Sequence, residues 1–134
     1  MNRLSFITLF LFFSANVFGQ NVFPQKINEC HLSEFCLDCG DIKANYDTAA
    51  FLKVLDYINY SYHFDGSKGQ IGFQVLIDSF GKGCVISHTD KTNNNVTKDL
   101  VRYLNACKWK PAIEKNKAVN ASINIFFIIS DCCY

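Results

Sequence analysis

The stretch Gln70-Ile71-Gly72-Phe73-Gln74-Val75-Leu76-Ile77-Asp78-Ser79-Phe80, followed by Gly81-Lys82-Gly83 and Cys84-Val85-Ile86-Ser87-His88-Thr89, decides the fold. Ile71, Phe73, Val75 and Ile77 fall at every second position, and Gln70, Gln74 and Asp78 alternate with them. Successive side chains of a strand point to opposite faces, so this spacing predicts a half-buried strand over 70–80. Gly81-Lys82-Gly83 can adopt positive φ at little steric cost, which predicts that the chain turns back into a second short strand over 84–89. The two form a hairpin.

Outward from the hairpin the period changes. From Asp47 to His63, Phe51, Leu52, Leu55, Ile58 and Tyr62 recur at three- and four-residue steps, which predicts an amphipathic helix with Asp47 capping its start. After the hairpin, Val96, Leu100, Tyr103, Leu104 and Cys107 mark one face of a second helix, which Pro111 stops, with Trp109 placed to cover the core edge. A polar turn around Glu114 to Lys117 leads to Ala121–Ser130, the strongest strand signal of the chain. Ile123, Ile125, Phe127 and Ile129 share one face there, and Phe126 and Ile128 make the other face apolar too. The order helix, strand, strand, helix, strand predicts an α+β layer: a three-stranded antiparallel sheet, order 2-1-3, with both helices packed on one face. The third strand then lies at an edge with one row of free main-chain groups.

The chain has 134 residues, 13 Lys+Arg against 12 Asp+Glu and 49% hydrophobic residues, enough for one small domain. A net charge of +1 supplies no basic field for nucleic acid, and the apolar content is too high for a disordered chain. Arg3 followed by the apolar run Leu4–Phe13 and the small residue Gly19 reads as a secretory signal peptide over 1–19. A membrane anchor at 4–18 is the alternative if that segment stays uncleaved, but a span wants about 20 apolar residues. Export to the periplasm is the expectation. Residues 20–45 mix polar residues and cysteine without apolar periodicity and predict an irregular extension ahead of a domain at 46–131 and a cysteine tail at 132–134.

Cys30, Cys36, Cys39, Cys84, Cys107, Cys132 and Cys133 make an odd set of seven, so at least one thiol is left over or pairs between chains. Export permits disulfides, and the three cysteines near the start are placed to staple that segment to the C-terminal tail. Cys36-Leu37-Asp38-Cys39 also fits a redox pair, and with Cys30-His31 it offers ligands for tetrahedral zinc, but no second motif at zinc-finger spacing follows. Structural bridges are the simpler reading, with no metal and no cofactor. His31, His63 and His88 have no Ser or Asp at triad spacing, so no catalytic residue is expected and the protein reads as non-enzymatic.

At this point the chain resembles the C-terminal domain of TonB-type energy transducers. The residues that carry the resemblance are the hairpin Gly72–Ile86, the run Ala106-Cys107-Lys108-Trp109-Lys110-Pro111-Ala112, Val119, and the strand Ile123–Ile129. It departs from that family at Asn116-Lys117, where a glycine is usual, and in having no long proline-rich span. The resemblance implies a binding module whose last strand accepts an extended peptide of a partner, such as an outer-membrane TonB-dependent receptor, by β-augmentation. The contact residues would be Ser122, Asn124, Ile125, Phe126 and Ile128. Pairing of two such edges gives a homodimer as a further outcome, and residues 20–45 folded over Phe126 and Ile128 would instead close that face.

Overall fold

The computed structural model describes residues 21–31, 34–61 and 69–129, so the expected signal segment 1–19 and Cys132 and Cys133 lie outside the described residues. In chain order the elements are β1 (Gln25–Lys26), β2 (Cys36–Leu37), β3 (Asn45–Tyr46), α1 (Thr48–Ser61), β4 (Gly69–Ile77) and β5 (Gly83–His88). Then follow α2 (Asn95–Ala106), β6 (Trp109–Lys110), β7 (Ala112–Glu114), β8 (Lys117–Val119) and β9 (Ala121–Ile129). The main sheet has five strands in the order β1-β5-β4-β9-β2, and two-stranded sheets β3-β6 and β7-β8 stand beside it.

This corrects the expected three-stranded antiparallel sheet. The sheet is mixed, because β2 runs parallel to β9, and neither strand of the added pair β1 and β2 shows any apolar period. Both are two residues long, and they form by adding to an existing ladder rather than by burying a face of their own. Nor is β9 the outermost strand. Cys36 pairs with Ala121 and Leu37 with Ser122, so the start of β9 is flanked on both sides.

The core lies where the odd-numbered side chains of β4 and β9 meet the helices. Phe73, Val75, Ile77, Val85, Leu100, Leu104, Trp109 and Phe127 are buried together. Asp47 starts α1 as expected: its carboxylate accepts from the amides of Ala49 and Ala50 at 3.0 and 3.2 Å. Phe51 and Leu55 pack on the core and Val54 is buried, while Leu52, expected inside, is 53% exposed. The inward positions step 51, 54, 55, and residue 52 lies a quarter-turn off that stripe.

Helix α2 begins at a dense polar knot. The Asn94 side chain accepts from the Thr97 amide at 2.9 Å, an N-cap worth about 1 kcal/mol. Asp90 accepts from the amides of Thr92 and Asn94 and from the hydroxyls of Thr92 and Thr97, and Thr97 is fully buried. Burial alone would raise the Asp90 carboxyl. The hydrogen bonds from Thr97, Thr92 and Asn94 outweigh it and hold the pKa down at about 2. The folded protein therefore binds this proton more weakly than the unfolded chain. Its stabilising contribution is complete above the ordinary 3.8 and is lost as pH falls through about 2. After screening of a partly exposed group, the effect is on the order of 1 kcal/mol. Asp90→Asn is expected to flatten the fall of the urea midpoint between about pH 5 and pH 2; an unchanged slope would show that the carboxylate contributes nothing.

The opposite face of the sheet is also covered, which the sequence pattern does not show. Gln74 alternates with apolar residues as if solvent-facing, yet it is fully buried, with Ser87 and Ser122. Its Oε1 accepts from Ser87 Oγ at 2.8 Å and from the Val22 amide at 2.7 Å, and its Nε2 donates to Ser122 Oγ at 3.3 Å. The Phe23 amide donates to Ser87 Oγ, and Cys30 is disulfide-bonded to Cys84. Val22 and Phe23 thus lie over this face before the chain enters β1 at the sheet's edge, and the polar side chains beneath them are satisfied by one another and by the Val22 and Phe23 amides, as buried polar groups must be.

Past α2, the Trp109 indole is buried and its Nε1–H donates to Leu104 O at 3.0 Å. The turn between β7 and β8 holds Lys115 and Asn116 at φ 50° and 63°. Two consecutive left-handed residues make a hairpin turn whose twist matches the strands, so Asn116 takes over the role that a glycine would have there.

Candidate binding edge

The accessible part of β9 is defined by what its neighbours take. Cys36 N–H donates to Asn120 O and Asp38 N–H donates to Ser122 O at 2.9 Å, so the even-numbered residues turn their main-chain groups away from β4. Main-chain direction alternates along a strand. The odd-numbered residues of β9 therefore bond to β4, in register from Gly69↔Ile129 to Ile77↔Ala121. After Leu37, the chain leaves through Asp38 and Gly40, both with positive φ, and the edge of β9 has no further strand partner among the described residues. Asn124, Phe126 and Ile128 carry the outward N–H and C=O groups of that stretch.

The expected contact residues separate on this geometry. Ser122 is 2% exposed, its hydroxyl accepts from Gln74 and its carbonyl is taken by Asp38, so its carbonyl is not open to an added strand. Ile125 is half-buried against the core and pairs with Phe73, so its main-chain groups belong to the β4 ladder. Asn124 is exposed, Phe126 is 51% exposed and Ile128 80% exposed. Phe23 covers part of Phe126 edge-on, with ring centroids 5.8 Å apart. The extension therefore covers one flank of Phe126 and leaves Ile128 open. A pocket of about 230 Å³ lined by Val22, Leu37, Asp38, Ser122, Ile123 and Asn124 opens where β2 departs.

Among the described residues the cysteines form two bridges, Cys30–Cys84 and Cys36–Cys39, with Cα atoms 6.2 and 5.7 Å apart. The expected staple from the N-terminal cysteines to the C-terminal tail falls on residues outside the described part; what the structure shows is a staple to β5. Cys107 has no disulfide partner among the described residues, and burial pushes its pKa up, away from the reactive thiolate. Among the described residues no group of three or more His, Cys, Asp or Glu side chains is gathered to hold a metal. No described helix is long and apolar enough to cross a membrane. No family model matches the chain, and no curated protein or solved structure matches it.

Proposed function

We propose that the protein is a non-enzymatic binding module, exported to the periplasm, that takes up an extended peptide of a partner protein along the edge of β9 from Asn124 to Ile128. The observation that carries this reading is the coincidence of main-chain groups at Asn124, Phe126 and Ile128 that have no strand partner on the outer side among the described residues with two large exposed apolar side chains on the same stretch. Main-chain hydrogen bonds supply affinity to any extended strand, and Phe126 and Ile128 supply preference for apolar residues at alternate positions. An exposed apolar edge is otherwise a liability that proteins cover or charge. The resemblance to TonB C-terminal domains is in keeping with this reading, with an outer-membrane receptor segment as the corresponding partner and a second copy of the edge as the competing one.

The thiol-disulfide reading takes second place. Its supporting observation is the Cys36–Cys39 bridge, but Cys36 sits in a two-residue strand clamped to β9, not at the start of a helix that would favour a thiolate.

Selection of peptides from a random library on the full chain tests the proposal. Selected peptides are expected to slow hydrogen exchange at the amides of Asn124, Phe126 and Ile128. Phe126→Pro removes one outward N–H and leaves the β4 ladder intact, so it should fold and lose at least tenfold in affinity. Ile125→Pro is the wrong probe, since its N–H lies on the β4 side and its replacement damages the sheet itself. Retained affinity in a folded Phe126→Pro variant, or protection elsewhere, would remove the edge from consideration.

A further inference from the structure

The Cys36–Cys39 bridge lies where β2 meets the binding edge. Cys36 and Asp38 donate their N–H groups to Asn120 O and Ser122 O at 3.3 and 2.9 Å, and both donors belong to residues inside the ring that the bridge closes. Asp38 has φ 47°, a left-handed conformation that few non-glycine residues adopt, and Gly40 follows at φ 107°. The bridge therefore fixes the turn by which the chain leaves β9, and with it the direction of the Asp38 N–H. β2 itself is two residues long, and the tie beside it, from Asn120 Nδ2 to Glu34 O at 3.3 Å, is exposed. Cys36 and Cys39 are half-buried against the core, so the bridge is not sealed from solvent.

The chain on either side of β2 is held independently. Cys30 is bonded to Cys84 upstream, and Ile42 exchanges main-chain hydrogen bonds of 3.1 and 2.9 Å with Ile113 downstream. The seam between β2 and the open part of the edge is not filled: the pocket of about 230 Å³ has Leu37 and Asp38 on one side and Ile123 and Asn124 on the other. The odd-numbered residues of β9 keep their bonds to β4 whatever happens at β2, so β2 can lift away with the main ladder in place. Reduction would give Cys36 an S–H donor 3.6 Å from Asn120 O, a weak bond that does not replace the closed ring.

Resting on the reading of β9 as a peptide-binding edge, we infer that the Cys36–Cys39 bridge is a redox switch that sets the length of that edge. Oxidised, it holds β2 on Asn120 and Ser122; reduced, it releases β2 and adds the outward main-chain groups of those two residues to the stretch 124–128. The reductant is a dithiol. Its thiolate attacks one sulfur of the bridge, forming a mixed disulfide and expelling the other cysteine as a thiolate that takes up a proton, and its second thiol then displaces the mixed disulfide. Two electrons and two protons pass to Cys36 and Cys39, and the reductant leaves as a disulfide.

Cys36→Ser combined with Cys39→Ser in the full chain removes this bridge and leaves Cys30–Cys84. The bridge spans a sequence separation of only 3, so the variant should fold. Hydrogen exchange at the amides of residues 36 and 38 is expected to be about tenfold faster than in the oxidised chain, with the β4 amides unchanged. Wild-type protein treated with dithiothreitol should open the same bridge while folded, shown by alkylation of Cys36 and Cys39, and should reproduce that exchange. Peptides selected from a random library on the variant are expected to bind it about tenfold more tightly than the oxidised chain, and to slow the Ser122 amide along with those of Asn124, Phe126 and Ile128. Unchanged exchange at residues 36 and 38, or a bridge that dithiothreitol does not open in the folded chain, overturns the switch. Freed β2 with equal peptide affinity in both states overturns the switch alone and leaves the edge standing. Peptide protection absent from 124–128 in both states overturns the edge and the switch together.

Discussion

Replacing both Cys30 and Cys84 by Ala is expected to lower the unfolding free energy by about 4 kcal/mol, read from urea unfolding with midpoint and slope both fitted, the slope rising as the unfolded chain loses its cross-link. The bridge spans 54 residues of sequence, so breaking it releases a long loop in the unfolded chain, and the entropic stabilisation of a cross-link grows with that length. The Cys36–Cys39 bridge spans three residues, and its removal should cost only about 2 kcal/mol. The larger loss also has a local signature. Cys30 holds residues 21–30 against the sheet, where the Val22 and Phe23 amides are bound by Gln74 and Ser87. In the double variant those two amides should exchange with solvent much faster than the amides of β4, and Phe126 should lose the cover of Phe23. Equal losses from the two bridges, or unaltered exchange at Val22 and Phe23, would show that the segment is held by its own contacts and not by the covalent link.

That segment is also where the sequence was least informative. β4, β5, β9, α1 and α2 announce themselves because each is long enough to bury a face, and burial imposes a period of two or of 3.6 residues. β1, β2, β3 and β6 are two residues long, and a period cannot be read from two residues. Gln74 is the instructive error. Its polar side chain fits the solvent side of a half-buried strand, and only the presence of Val22, Ser87 and Ser122 around it makes burial affordable. No local pattern in 70–80 contains that information, because the three partners lie on other strands and on the N-terminal extension. The binding edge was legible to a similar depth. The run 121–129 identifies β9 and the exposed Phe126 and Ile128, but Ser122 drops out because β2, invisible to periodicity, adds beside it.

Of the two hairpin glycines only Gly81 has positive φ; Gly83 is the first residue of β5, paired with Ile77, and its role there is a different one, which sets the other large effect. Gly83 lies under the Trp109 ring, and a Cβ placed on it would overlap the indole at Nε1 and Cδ1. The ring has little freedom to give way. Its N–H is bound to Leu104 O, its own amide donates to Gly81 O at 3.1 Å, and Trp109 pairs with Tyr46 across β3 and β6. Gly83→Ala must therefore displace the indole and break its hydrogen bond at the end of α2, or distort β5. The expected cost is about 3 kcal/mol, near the top of the range for overpacking. Trp109→Ala alone removes a buried aromatic and should cost about 4 kcal/mol. In the double variant the overlap no longer exists, so the combined loss should fall short of the sum by about 3 kcal/mol, a coupling well above that of residues that do not touch. Urea unfolding of the four chains measures the cycle. Additive losses would mean that the contact between Gly83 and Trp109 carries no part of the stability.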